Sequence, residues 1–190
     1  MKTWLDEILE INAEYMKTPE AGRFSTDVVP GSRALVACMD PRSRIEAIGA
    51  DRTDSEGRVI RLILNAGGKL DFRSLFAHLY VGNVKEFAFM THTDCGLTKM
   101  YKDPYMFISR MRERLGEERF AQARAIIGEP LKECLLGWLG GFSDPYEEVR
   151  QRVRTFKNHP MVPKYVIAHG LMQDIFTGRV EVVVNGYEET

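Results

Sequence analysis

Apolar positions along the chain fall into two kinds of pattern, short continuous runs and stripes at helical spacing. Leu5, Ile8, Leu9 and Met16 fall close to one face of a helix predicted over residues 4–17. Thr3 with Asp6 matches a capping box at its start, and Pro19 ends it. The next apolar run, Ala34-Leu35-Val36-Ala37-Cys38-Met39, is continuous and lies between Pro30-Gly31-Ser32 and Asp40-Pro41. That length and those flanks suit a strand buried on both faces of a parallel sheet. A polar stretch from Asp51 to Arg58 predicts a loop. The β-branched run Val59-Ile60-Arg61-Leu62-Ile63-Leu64 predicts a second strand, stopped by the turn signal Asn65-Ala66-Gly67-Gly68.

Phe72, Leu75, Phe76 and Leu79 predict a helix over 71–81, with Gly82 at the position of a C′ glycine. A third strand, Phe87-Ala88-Phe89-Met90, runs into Thr91-His92-Thr93-Asp94-Cys95-Gly96. Strand, helix, strand in this order implies a parallel crossover. Residues 103–157 read as mostly helical. One start is sharp: a capping Asp144, Pro145 at the first helical position and Glu147 at N3, with Val149, Val153 and Phe156 as the buried stripe. Pro160 and Pro163 precede a fourth strand, Tyr165–Ala168, and Val180–Val184 forms the last, ended by Asn185-Gly186. The pattern predicts an α/β fold with a mainly parallel central sheet flanked by helices. With no repeat and no internal linker, residues 31–190 are expected to form a single domain. Residues 1–30 are expected to form an N-terminal helical arm whose apolar stripe needs another surface.

Composition narrows the function classes. The 190 residues carry 26 Lys+Arg against 27 Asp+Glu, a net charge of −1. That balance argues against a nucleic-acid partner, which needs a basic excess. No apolar run approaches the roughly 18–20 residues of a membrane span. Acids stand at Asp6 and Glu7, where a signal peptide needs apolar residues, so a soluble, cytoplasmic protein is expected. Three cysteines are too few for a disulfide framework. They are left as metal ligands, nucleophiles or core filler.

Two strand ends carry the candidate chemistry. His92-Thr93-Asp94-Cys95 is a His-x-x-Cys, a spacing at which imidazole and thiolate can turn onto one zinc ion. Alone, it reads equally well as a strand-end histidine and a buried thiol. Cys38-Met39-Asp40-Pro41-Arg42 ends the first predicted strand. In a parallel sheet both ends share one edge, where open α/β sheets place their sites. Cys38, His92 and Cys95 then make three ligands, the count of a catalytic zinc site with an open position. Asp40 is a candidate fourth ligand, unless Arg42 holds its carboxylate by paired hydrogen bonds. In isolation, Asp-Pro-Arg is an ordinary turn with a solvated ion pair.

Together these residues resemble the β-class carbonic anhydrases. The shared motifs are Cys-x-Asp-x-Arg (Cys38, Asp40, Arg42) and His-x-x-Cys-Gly (His92, Cys95, Gly96). Three further segments agree: Asn65-Ala66-Gly67-Gly68; Ser74-Leu75 with Val81-Gly82; and His169-Gly170 with Asp174 and Thr177-Gly178. The resemblance runs from about residue 33 to residue 184. It implies Zn2+ on Cys38, His92 and Cys95, with Asp40 and Arg42 as the catalytic pair and Asp40 as a conditional fourth ligand. Asn65, Gly67 and Gly96 are expected on the substrate pocket. The implied activity is reversible hydration of carbon dioxide to bicarbonate and a proton by zinc-activated water. The alternatives are a carbonyl sulfide or carbon disulfide hydrolase on the same site, or a non-catalytic zinc-stabilised binding protein. The implied partners are a small-molecule substrate and a second copy of the chain, as a homodimer or dimer of dimers.

The chain also departs from the family pattern. Leu64 stands where arginine usually precedes Asn-Ala-Gly, with Arg61 displaced upstream, and Gln173 stands where tyrosine is common. The loop from Arg44 to Arg58 matches poorly. These departures bear on pocket shape and subunit contacts. Cys134 is expected as a buried small hydrophobe, His78 as a packing or surface residue and His159 as a loop residue, while His169 matches a family position at a strand end and is not expected as a ligand.

Overall fold

The computed structural model describes residues 3–18, 32–50 and 59–188. The predicted loop Asp51–Arg58, and the flanking Pro19, Pro30 and Gly31, lie outside the described residues. Helix α1 (Trp4–Tyr15) begins at the expected capping box: the Thr3 hydroxyl accepts from the Asp6 N–H, and the Asp6 carboxylate accepts from the Thr3 N–H. None of its residues is buried, and Trp4, Leu5, Leu9 and Ile11 are all exposed.

Five strands follow: β1 (Arg33–Cys38), β2 (Arg61–Asn65), β3 (Glu86–His92), β4 (Ile167–Gln173) and β5 (Val180–Val184). Their order in the sheet is β2-β1-β3-β4-β5. The first three pairings are parallel, and only β5 runs antiparallel to β4. This is the mainly parallel α/β architecture expected. From β1 the chain moves outward to β2, then returns past β1 to β3. The carboxyl ends of β1 and β3 therefore flank a topological switch point, where loops diverge and leave a crevice.

Helix α2 (Phe72–Phe76) continues as a wider π turn over Ala77–Val81. Gly82 follows, but it is not the left-handed cap its position suggested. Its φ is −82°, and Asn83 takes the positive φ instead. Gly82 is needed for space: a Cβ there would meet the His78 carbonyl oxygen at 2.7 Å.

The helical middle resolves into α3 (Gly96–Lys102), α4 (Pro104–Ile127), α5 (Leu131–Leu139) and α6 (Pro145–Lys157). Asp144 caps α6, accepting from the Tyr146 and Glu147 N–H groups. The stripe Val149, Val153 and Phe156 is fully buried against the sheet. Phe156 packs on Phe87 and Phe89 with ring centroids 4.9 and 5.2 Å apart. Burying each such ring contributes roughly 2–3 kcal/mol. The opposite face of the sheet carries a smaller layer, Leu35, Ala37, Ala50 and Met90, packed against Ile45 and Ile48. The site edge is thus fixed by strands whose registers the two layers define.

Candidate metal centre

The last residue of β1 is Cys38 and the last of β3 is His92, while Cys95 caps the N-terminus of α3. Parallel pairing of β1 with β3 sets the two strand ends side by side. The turn between His92 and Cys95 needs a left-handed residue, and Asp94 supplies it with φ +55°. Such a conformation is uncommon outside glycine, with aspartate among the residues that tolerate it best. It returns the chain so that Cys95 faces Cys38. The two sulfurs and an imidazole nitrogen all lie within 4.8 Å of one another, and all three residues are buried.

The imidazole is oriented by its surroundings. His92 Nδ1 lies 2.7 Å from the Thr93 carbonyl, which can only accept, so Nδ1 carries the proton. Nε2 then presents a lone pair, and it is buried with no hydrogen-bond partner. A hydrogen bond from Cys95 pulls the Cys38 thiol well down, helped by His92 and by backbone N–H groups of Asp40 and Gly67. The same contact pushes Cys95 up, since the second thiol must ionise beside a thiolate. Burial opposes a charged His92, but the neighbouring Cys38 and the Thr93 carbonyl outweigh it, and its pKa is raised. An orphaned imidazole nitrogen and two thiols form a donor set that fits a borderline-soft divalent ion such as zinc.

Beside the cluster, Arg42 grips Asp40 through both ends of its fork. Nη2 donates to Oδ2 at 2.7 Å and Nε to Oδ1 at 3.0 Å. The Arg42 backbone N–H adds a third bond to Oδ1 at 2.9 Å. These contacts hold the Asp40 carboxyl down to about 2, so it is ionised at neutral pH and acts only as an acceptor. Arg42 also reaches the Asp94 carboxylate with Nη1 at 2.8 Å. Lys99 donates to the same carboxylate at 2.9 Å.

The chain is similar across almost its whole length to proteins of one kind. The Bacillus subtilis protein named Putative carbonic anhydrase YvdA is 29% identical over 194 residues, covering 97% of this chain and 93% of that one. The crystal structure of a β-carbonic anhydrase isoform from Trichomonas vaginalis superposes with a TM-score of 0.73 at 27% identity, covering 98% of this chain and 100% of that one. Over almost its whole length the chain is similar to carbonic anhydrases of the β class. No family model matches it. A carbon disulfide hydrolase from Acidithiobacillus thiooxidans is 26% identical over 160 residues, covering 80% of this chain and 78% of that protein.

In this β-carbonic anhydrase-like chain, a cavity of about 390 Å³ opens against the cluster. Cys38, Asp40, Gly67, Cys95 and Gly96 reach it, and Met39, Leu97, Met100 and Phe107 give it an apolar wall. Of the three residues expected on the pocket, Gly67 and Gly96 line it and Asn65 does not. The Asn65 side chain instead closes the turn beneath, accepting from the Lys69 N–H at 2.6 Å and donating to the Lys69 carbonyl at 2.9 Å. That closure lets Gly67 and Gly68 adopt positive φ. Gly68 sits so close to β1 that a Cβ would meet the Ala37 carbonyl carbon at 2.9 Å.

Several residues around the site escaped the sequence reading. Arg152 is buried on α6, donating to the Gly68 carbonyl at 2.8 Å and to Glu148 at 3.1 Å. Lys69 pairs with the same Glu148. Burial lowers the Arg152 pKa, and Glu148 opposes that shift. A cation inside the stripe Val149–Val153–Phe156 was the available signal. Asp94 lay within the quoted motif without a role. Cys134 is half-buried rather than buried as expected, and it is not one of the clustered ligand candidates. His159 packs its ring on Phe72 and Phe76. No helix among the described residues is long and apolar enough to cross a membrane.

Proposed function

We propose that this protein is a zinc-dependent carbonic anhydrase that converts carbon dioxide and water reversibly into bicarbonate and a proton. The observation that supports it most is the juxtaposition of an unsatisfied buried Cys-His-Cys cluster, an arginine-clamped aspartate and an apolar cavity. Cys38, His92 and Cys95 would hold the metal. When bound, zinc supplies a Lewis acid that makes water a usable nucleophile near neutral pH. Asp40, ionised and fixed by Arg42, accepts a hydrogen bond from the attacking hydroxyl and so turns its lone pair toward the cavity. Arg42 keeps Asp40 from donating a proton in return. Met39, Leu97, Met100 and Phe107 offer an apolar wall to a small, uncharged, linear substrate and shed bulk water. The released proton leaves to solvent.

A second reading is carbon disulfide or carbonyl sulfide hydrolysis on the same residues. The apolar wall and the carbon disulfide hydrolase among the relatives support it. A non-catalytic binding role is disfavoured, because Asp40 and Arg42 remain paired beside the cavity. The exposed apolar residues of α1, with Leu62 and Leu64 on edge strand β2, support a homodimer in which residues 1–30 act as an arm. Stopped-flow carbon dioxide hydration, run with zinc content and a sulfide-release assay, tests the assignment. Rapid hydration by zinc-loaded protein is expected. Zinc-loaded protein that releases sulfide but does not hydrate carbon dioxide would reverse the two readings.

A further inference from the structure

Gln173 is fully buried at the end of β4, and every polar atom of its side chain is engaged. Oε1 accepts from the Arg44 N–H at 3.0 Å and from the Ser43 hydroxyl at 3.3 Å. Nε2 donates to the Arg44 carbonyl at 2.9 Å. One amide thus reads both backbone groups of Arg44, as a neighbouring strand would. Its main chain does a second task. The Gln173 carbonyl accepts from the Thr93 N–H at 2.9 Å, and two residues on, the Ile175 N–H donates to the Thr93 hydroxyl at 2.9 Å.

The two bonds point at the two halves of the site. Thr93 is the residue whose carbonyl orients His92. Arg44 follows directly on the turn that carries Arg42, a turn also held by the Ser43 N–H bond to the Asp40 carbonyl at 2.8 Å and the Arg42 N–H bond to the Asp40 carboxylate at 2.9 Å. Arg42 itself is half-exposed and sits on an exposed segment, so its own packing cannot fix its fork on Asp40. A buried neutral amide with all its bonds made is a rigid anchor, and breaking one partner leaves the others unsatisfied.

We infer that Gln173 is a positioning residue: through Arg44 it fixes the turn that sets Arg42 on Asp40 and Asp94, tying that turn to the strand end that bears His92. The inference rests on the carbonic anhydrase reading for its kinetic arm alone. The juxtaposition it turns on is structural and can be read without any activity.

The test uses full-length, zinc-reconstituted protein labelled with 15N, as wild type, Gln173→Met and Gln173→Glu. Methionine keeps the length and removes all three bonds. Glutamate keeps the acceptor oxygen and removes the donation to the Arg44 carbonyl. Exchange of the Arg44 N–H and the Arg42 Nε–H with solvent is followed by NMR. In Gln173→Met both protons are expected to exchange at least about tenfold faster, with zinc content unchanged. Gln173→Glu is expected to fall between, and it carries the test if Gln173→Met fails to fold. In the kinetic arm, kcat for hydration is expected to fall about ten- to a hundredfold with KM little changed. An unchanged Arg42 Nε–H in a folded variant of lower thermal stability would make Gln173 a packing residue only and overturn the inference. Wild type without hydration activity but with the expected exchange pattern would fail the proposed function and leave the brace standing.

Discussion

The two ends of the central sheet each hold a histidine beside charged or ionisable partners, buried at the carboxyl end and half-buried at the amino end, and they differ in how the ring nitrogens are used. At the amino end, His169 uses both ring nitrogens. Nδ1 accepts from the Gly186 N–H at 3.2 Å, and Nε2 lies 3.2 Å from Glu86 Oε1. Glu86 also accepts from Tyr187 Oη at 2.6 Å and from Arg33 Nε at 3.1 Å. The Tyr187 ring stands edge-on to the imidazole at 4.8 Å. At the carboxyl end, His92 uses Nδ1 and leaves Nε2 buried without a partner among two thiols. A buried polar atom without a partner costs roughly 1–3 kcal/mol. A fold does not carry that cost at a strand end without return, whereas a saturated histidine is a staple. Saturation separates the candidate ligand from the structural residue, and the unsaturated ring is also the more deeply buried one.

Exchanging the two histidines for alanine breaks the comparison most directly. His92→Ala removes a donor from the cluster and is expected to weaken zinc retention by more than about a hundredfold, above the range seen for outer-shell partners. His169→Ala should keep full zinc content and lose about 1–2 kcal/mol of stability. Metal analysis after dialysis against a chelator, with urea unfolding on the same samples, reads both. Equal zinc loss from the two variants would remove the distinction. Next in size is Asp40→Asn, which keeps the shape and removes the ionised acceptor. Hydration is expected to fall about 10²–10³-fold with zinc retained. Zinc-loaded Asp40→Asn with wild-type activity would take Asp40 out of the mechanism.

Acidification probes the carboxyl end through Asp40. Asp40 has a folded pKa near 2, held there by Arg42, against about 3.9 for a free carboxylate. A depressed pKa gives stability that is present above about pH 4 and is lost as pH falls through about 2. Arg42→Met returns Asp40 toward its ordinary range, so this part of the acid-induced loss should flatten in that variant. Urea midpoints measured from pH 5 to 2 check it. At neutral pH Asp40 stays ionised in both proteins, so any activity lost by Arg42→Met reflects lost orientation rather than protonation.

How far the sequence exposed this site follows from which contacts are local. Cys38 and His92 end strands whose apolar runs are unmistakable, and Asp40 and Arg42 are two residues apart. A parallel sheet alone brings these groups to one edge. Gln173, Arg152 and the pocket wall were not legible in the same way. Gln173 meets Arg44 across 129 positions, and Arg152 meets Gly68 across 84. Such partners are chosen by tertiary packing, which a one-dimensional pattern does not carry. Asn65 shows the converse. Its motif was legible, but its task, closing a turn onto Lys69, became visible only with the turn in place. The position of Gly82 suggests a conformational glycine and the structure makes it a spatial one, because the preceding π turn leaves no signal in the periodicity.

The smallest expected effect lies at the saturated end. Tyr187→Phe removes one of several donors to Glu86, on a ring that is largely exposed. Glu86 keeps Arg33 and His169, so its carboxylate is not orphaned, and hydrogen bonds of this kind contribute about 0.5–1.5 kcal/mol when fully formed. Its pKa, now depressed against burial by these partners together, should rise toward the usual carboxylate value without reaching it. Stability should fall only slightly, with zinc content and hydration rate unchanged. A coupled loss of zinc in Tyr187→Phe would mean that the two ends communicate through β3, the strand that carries both Glu86 and His92. Independence of the two readouts is what a rigid sheet, closely packed on both faces, predicts.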